Sequence, residues 1–442
     1  MGIKLTLLIV FFAVMVGVGL YSRKHTASVD GFVLGGRSVG PWLTAFAYGT
    51  SYFSAVVFVG YAGQFGWKYG IASTWIGIGN AVIGSLMAWV VLGRRTKVMT
   101  QHLGSKTMPD FFGERYGSKA LKIMASAIVF VFLVPYTASI YNGLSRLFEM
   151  AFHIPYAYCV AGMAVFTGIY VILGGYMATA INDFIQGIIM LIGIVAVIAA
   201  VLSGQGGFLE AIRKMAEIPS DLPVTMGQPG AFTSFFGPDP WNLLGVIILT
   251  SLGTWGLPQM IGKFYAIKDE KSINTGTVIS TLFACIVAGG SYFLGGFGRL
   301  FDSSEIYDET GSVVFDSIVP HMLSSLPDLL IGIVVVLVLS ASMSTLASLV
   351  LTSSSTLTLD FLKDNVMKNM SEKKQIRWMQ FLVVFFIGLS VWIALDPSTF
   401  IAQLMGISWG ALAGAFLAPF LYGLYWKLSL IHISEPTRLA LI

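Results

Sequence analysis

Apolar runs of about twenty residues recur from one end of the chain to the other, separated by short polar breaks. Each is long enough to cross a hydrocarbon core of ~30 Å at about 1.5 Å per helical residue. Eleven can be marked, over residues 3–21, 41–62, 70–93, 121–149, 155–175, 183–203, 241–262, 275–298, 328–357, 378–395 and 400–426. The pattern predicts an all-α integral membrane protein. The longest connections, 204–240 and 299–327, are too short to bury a core of their own but long enough to carry short helices. The run at 3–21 has the length of a secretory leader, yet no small-residue cleavage site follows it, so it is read as a helix.

Two runs are interrupted. Ala47 to Ser54 reads AYGTSYFS, and Ser251 to Gln259 reads SLGTWGLPQ. Glycine loosens a helical turn and proline removes one of its hydrogen bonds, so both stretches are expected to unwind and free backbone carbonyls. Inside a membrane such carbonyls persist only where protein buries them or where they line a cavity. If 41–203 and 241–427 are two blocks of five helices, each block begins on its broken helix. An odd number of spans turns the second block upside down relative to the first, the layout of an inverted-repeat secondary transporter with its site between the breaks. Residues 1–40 then supply an extra helix and loop, 204–240 joins the blocks, and 428–442 is expected to be a truncated or non-native tail with little spanning character.

Composition agrees with the pattern: 56% of the 442 residues are apolar and 11% charged, and the mean hydropathy is +0.80. Charge is more informative by position than in total, where it is only +4. Taking loops alternately, one side holds Arg23, Lys24, Arg37, Arg94, Arg95, Lys97, Lys106, Arg115, Lys119, Lys122, Lys263, Lys268, Lys271, Lys363, Lys368, Lys373, Lys374 and Arg377. The other side holds few cations and the acids Asp302, Glu305, Asp308 and Glu309. The positive-inside rule puts the basic loops in the cytoplasm and the N-terminus outside the cell membrane. Because the cations are spread over several loops, no nucleic-acid stripe is formed. Both cysteines, Cys159 and Cys285, fall in apolar runs, which suggests neither a disulfide framework nor a thiolate metal site.

Candidate chemistry is sparse. The sequence has no HExxH, no phosphate-cradling GxxxxGKS and no serine–histidine setting, so an enzyme is not expected. Two features stand out. Ser340 to Thr356 reads SASMSTLASLVLTSSST and continues the hydrocarbon run 329–339, which places Ser344 and Thr345 at membrane depth. Such hydroxyls can bond back to the preceding turn and serve packing alone, or they can offer neutral oxygens to a small hard cation. Asp183, in TAINDFIQG at the start of the sixth run, reads either as a helix N-cap at the cytoplasmic edge or as a waypoint for a cation leaving inward. The stretch MPDFFGERYGSK predicts a short interfacial helix with Pro109 in its first turn.

Taken together, GFVLGGRSVGPW at 31–42, MPDFFGERYGSK at 108–119, ILGGYMATAINDFIQG at 172–187 and SMSTL at 342–346 resemble the sodium/solute symporter family, which includes sodium/proline, sodium/glucose and sialic acid carriers. The resemblance implies the leucine-transporter-like five-plus-five inverted repeat preceded by one helix, with Na+ as coupling ion and a small organic solute imported by alternating access. It assigns sodium to the carbonyls of Thr50, Phe53 and Ala341 and the side-chain oxygens of Ser344 and Thr345. Residues 341, 344 and 345 share about one helical turn, which fits that assignment. Asp183 matches the family's acidic residue thought to assist sodium release. Some members add a second sodium site one turn below the first; here Ala347 and Ser348 stand there, one hydroxyl is missing, and a single sodium is expected.

Solute identity does not carry over. In the proline carriers an aspartate stands at the position of Tyr52, and a Trp and a Tyr at those of Thr250 and Thr254. The sugar carriers have polar residues at Val56 and Val57, and no arginine matches the one that holds a sialic acid carboxylate. Position alone lines the cavity with Tyr52, Tyr136, Tyr141, Asn142, Thr254, Trp255 and Gln259, suiting a small, partly apolar amino acid, sugar or carboxylate. Beyond solute and lipid bilayer, no obligatory protein partner is expected. The alternatives are proton coupling, for which only Asp183 is close enough to titrate, and a solute sensor built on the same fold.

Overall fold

The computed structural model describes residues 2–152, 154–395 and 401–426. The tail 428–442 and His153 and His432 lie outside them. In chain order the helices are α1 (Gly2–Ser22), α2 (Val29–Leu34), α3 (Pro41–Tyr52), α4 (Ala62–Tyr69), α5 (Thr74–Gly79), α6 (Arg94–His102), α7 (Met108–Tyr116), α8 (Lys119–Phe152) and α9 (Tyr156–Gly204). They continue as α10 (Phe208–Glu217), α11 (Pro240–Leu252), α12 (Pro258–Ala266), α13 (Glu270–Gly295), α14 (Phe315–Ser324), α15 (Asp328–Thr356), α16 (Glu372–Ala394) and α17 (Ile401–Tyr425). Wider π-helical turns at Val56–Tyr61, Asn80–Met87, Trp89–Gly93 and Leu357–Val366 extend α3's span, α5 and α15.

Among the described residues, eight helices are long and apolar enough to span a membrane, or nine if the pair Pro240–Gly256 and Pro258–Ala266, bent by 51°, is taken as one span. Each predicted run is helical over most of its described residues, but the divisions differ. The runs 155–175 and 183–203 share the 49-residue α9. A straight helix of that length would reach ~74 Å, more than twice a hydrocarbon core. Its one non-helical residue is Gly175, with φ 52°, where a Cβ would lie 2.8 Å from the Phe32 carbonyl. Only glycine takes that conformation in so tight a place without strain. Large apolar side chains such as Val90, Ile192, Phe381 and Trp392 remain exposed on the outer helix faces, as a lipid solvent allows.

The connections carry the short helices anticipated for them, α10 in one and α14 in the other. Thr107 caps α7 by accepting from the Asp110 N–H at 3.1 Å, and Pro109 occupies its first turn. This helix is anchored in the bundle: Phe111 and Phe112 are buried, and the Arg115 Nε–H donates to the Gly423 carbonyl of α17 at 2.7 Å. On the basic side, Lys122 gathers Asp110 (2.7 Å) and Asp364 (2.6 Å), with Asp360 at 3.6 Å. On the opposite side, Arg299 pairs with Asp221 at 2.6 Å and lies over the rings of Trp67 and Phe232.

The two broken spans meet through their backbones. The Val39 N–H, just before α3, donates to the Ala266 carbonyl at the end of α12 (3.3 Å), and the Lys268 N–H donates to the Val39 carbonyl (2.9 Å).

Candidate functional site

The first break falls at Phe53 and Ser54, where α3 ends in extended backbone (Phe53 φ −108°, ψ 125°) before the π-helical turn begins. The carbonyls of Thr50, which also accepts from the Phe53 N–H at 3.3 Å, and of Phe53 face α15. There the Thr345 hydroxyl lies 3.3 Å from the Thr50 carbonyl oxygen, 3.2 Å from that of Phe53 and 3.1 Å from that of Ala341. The Ser344 hydroxyl lies 3.2 Å from the Thr50 oxygen and 2.9 Å from that of Ala341. All five oxygens of the sequence assignment are thus brought together, from two elements almost three hundred residues apart. The arrangement has five close oxygen–oxygen contacts and only two hydroxyl protons to fill them. Lone pairs left facing one another in a dry interior repel, and a hard cation relieves that repulsion by accepting them as ligands.

Neighbouring hydroxyls brace the break. The Ala55 N–H donates to Ser342 Oγ at 3.3 Å, and Ser51 Oγ and Ser348 Oγ are 3.0 Å apart. The Tyr170 hydroxyl of α9 donates to the Met343 carbonyl at 2.5 Å. Ser51 and Ser342 fall in the two stretches that the sequence marks but have no assigned role there, and Tyr170, a tyrosine in an apolar helix, carries no distinguishing signal.

Asp183 is not a helix cap. α9 runs without interruption from Gly175 onward, so the residue lies two turns inside it and is fully buried. Neither of its carboxylate oxygens accepts a hydrogen bond. Its charged partner is Lys263 of α12, whose ammonium stands 3.7 Å from Asp183 Oδ2, donates to Ser348 Oγ at 2.9 Å and lies 5.3 Å from the Tyr176 ring centre. Lys263, expected among the basic loop residues, is instead 2% exposed, because α12 continues past it to Ala266. A crevice of about 50 Å³, with room for a few waters, reaches Lys263, Ser348, Tyr176, Thr179 and Gln259 from the Lys106–Met108 rim on the basic side.

The second break spans a 3-10 turn at Gly253–Gly256 and the extended residue Leu257. It is closed by protein contacts. The Asn80 side-chain oxygen accepts from Ser251 (3.0 Å), the Thr250 hydroxyl lies 2.8 Å from the Val246 carbonyl and 3.1 Å from Asn80 Oδ1, and the Thr254 hydroxyl donates to the Ser251 carbonyl (2.8 Å). The Trp255 indole N–H donates to the Ile83 carbonyl (3.0 Å).

All seven residues expected to line a solute cavity are buried. The Tyr52 hydroxyl donates to the Thr250 carbonyl at 3.0 Å, joining the two breaks. Tyr52 and Tyr136 both pack on Trp409 of α17, at 6.2 and 6.0 Å between ring centres, and Trp409 also lies against Gly253. Trp409 is the centre of this aromatic group, and it carries no signal in sequence, since one indole in an apolar helix reads as packing. Gln259 is the member that lines the crevice, with both amide atoms lacking a protein partner. Tyr141 and Asn142 sit further along α8, next to Gly143, which packs on Ala55 at the first break.

Comparison with known proteins bears on this arrangement. Residues 32–429 match the family model described as the sodium:solute symporter family. The chain is 31% identical to sodium/proline symporter 2 of Staphylococcus saprophyticus over 437 residues, covering 95% of this chain and 81% of that one. It is also 31% identical to the sodium/proline symporter of Staphylococcus aureus over 433 residues, at 95% and 80% coverage. Among solved structures, a Na+-coupled sialic acid symporter in a substrate-bound, outward-open state matches with a TM-score of 0.78 at 14% identity, over 96% of this chain and 87% of that one. A nucleobase-cation-symport-1 family transporter in a closed conformation matches with a TM-score of 0.51 at 12% identity, over 91% and 84%. The fold is shared with these two transporters.

Proposed function

The chain belongs to the sodium:solute symporter family and is a multi-pass, sodium-coupled symporter, and from that premise we propose that its coupling ion binds among Thr50, Phe53, Ala341, Ser344 and Thr345. The observation that carries this reading is the convergence of five oxygens with too few protons. Sodium there ties the broken first span to α15, so it binds first and organises the neighbouring solute cavity. Coupling between two ligands is reciprocal, and solute therefore tightens sodium in turn. With the basic loops cytoplasmic and the N-terminus outside, sodium moves inward, and the membrane potential adds about 2.3 kcal/mol per charge per 100 mV. Asp183 then lies on the inward path, beside the crevice on the basic side.

The solute is a small organic molecule of the amino acid, sugar or carboxylate class. Its cavity lies between the breaks, around Tyr52, Tyr136, Thr254, Trp255 and Gln259, with Tyr141 and Asn142 on α8. The relatives named as sodium/proline symporters support the amino acid class first. Tyr52, Thr250 and Thr254 replace the three residues expected of a proline cavity, which favours a side chain other than proline's. The test is thermal unfolding of the purified chain in sodium chloride against choline chloride at fixed pH, followed by a solute screen in each. Sodium-specific stabilisation that vanishes in Ser344→Ala/Thr345→Ala is the expected result. Equal stability in both salts would overturn the assignment.

A further inference from the structure

Below the five-oxygen cluster, away from the second break's aromatic group, the chain buries a charge that sodium binding does not require. Ser51 follows the ligand Thr50 directly; its hydroxyl meets Ser348 at 3.0 Å, Ser348 accepts from the Lys263 ammonium at 2.9 Å, and that ammonium faces Asp183 at 3.7 Å. The four residues form one connected polar line from the cluster to the crevice on the basic side. Each of Ser51, Ser348, Lys263 and Asp183 is at most 3% exposed.

The chemistry of this place is that of a cation site whose cation belongs to the protein. A buried carboxylate from α9 that accepts no hydrogen bond and a hydroxyl from α15 converge on one point, and an ammonium from α12 stands at it. We infer that the Lys263 ammonium is a built-in cation filling the position one turn below the five-oxygen cluster, so that this symporter binds one sodium ion and not two. The inference rests on reading the cluster as the sodium site.

Charge counting gives the reason. With sodium in the cluster, the ammonium and the Asp183 carboxylate cancel, and the buried region carries one net positive charge. A second sodium would raise that to two with no further anion to balance it, which a low-dielectric interior opposes strongly. The ammonium also governs departure. Its 3.7 Å contact with Asp183 is longer than a good charged hydrogen bond, so a sodium ion leaving the cluster can take the carboxylate as the lysine swings into the crevice. Release is then an exchange of one cation for another at Asp183.

The test is equilibrium binding of radioactive 22Na+ to the purified chain in lipid nanodiscs, counted per chain. Wild type and Lys263→Arg are expected to saturate at one sodium. Lys263→Met removes the internal cation and exposes Asp183, and saturation is expected to rise to two. In Lys263→Met/Asp183→Asn it returns to one. A folded Lys263→Met chain that still saturates at one sodium would overturn the inference. Should that variant fail to fold with Asp183 unpaired, charge rescue decides instead. Asp183→Asn alone leaves the ammonium uncompensated beside the cluster and is expected to weaken sodium by roughly tenfold, and adding Lys263→Met is expected to restore it. Absence of that rescue would equally overturn the inference. Ser344→Ala/Thr345→Ala separates the two readings: if sodium binding survives there unchanged, the cluster assignment fails whatever Lys263 does.

Discussion

The two helix breaks begin alike and end differently. Both unwind a span at a glycine-bearing stretch and free backbone groups at membrane depth. The first turns its carbonyls toward hydroxyls, leaving more oxygen lone pairs than protons. The second is closed by its surroundings: the Thr250 hydroxyl turns back to the Val246 carbonyl of its own helix, Ser251 donates to Asn80, Trp255 reaches Ile83, and Gly256 packs on α17. A break in a membrane helix is therefore not itself an ion site. What distinguishes the two is the partner helix, hydroxyl-rich α15 in one case and largely apolar α17 in the other.

That difference is open to attack from both ends. The largest expected effect is at the first break. Each contact to a charged ligand contributes about 1.5–3 kcal/mol, so Ser344→Ala/Thr345→Ala should weaken sodium by roughly 100-fold or more, seen as loss of the stabilisation that sodium gives over choline. Next comes Gly256→Val, whose Cβ would stand 2.9 Å from Ala413 Cα and 3.0 Å from the Leu417 nitrogen. It should lower stability by about 1–3 kcal/mol through overpacking, equally in both salts. Asn80→Ala leaves the Ser251 hydroxyl without its acceptor and should cost about 1–2 kcal/mol, again without changing the sodium response. Smallest is Tyr52→Phe, which removes the hydrogen bond joining the breaks at about 1 kcal/mol. If any second-break variant shifted sodium affinity as strongly as the serine–threonine pair, the division of labour between the breaks would fall.

The spans and both breaks were legible because glycine, proline and apolar run length act locally. The hydroxyl-rich stretch of α15 was legible for the same reason. What could not be read locally was depth. Asp183 looked like a cap because TAIND precedes an apolar run, but the real helix start is Gly175, where backbone conformation and not side-chain polarity sets the boundary. Lys263 looked like a loop cation because Lys268 and Lys271 follow it closely. Its burial depends on α12 leaning across α15, a tertiary fact with no sequence period. Trp409 was missed for a related reason: its neighbours come from α3, α8 and the second break, and only the packed molecule brings them to it.

The backbone link at Val39 has a mechanical consequence. Its two hydrogen bonds to Ala266 and Lys268 join the lower halves of both interrupted spans like a yoke. Rotating the halves together breaks neither bond, whereas sliding one past the other breaks both. The inexpensive motion is thus a shared swing, with its pivots at Phe53–Ser54 and Leu257. The yoke converts two separate kinks into one gate leaf, hinged where the oxygens and the aromatic rings sit.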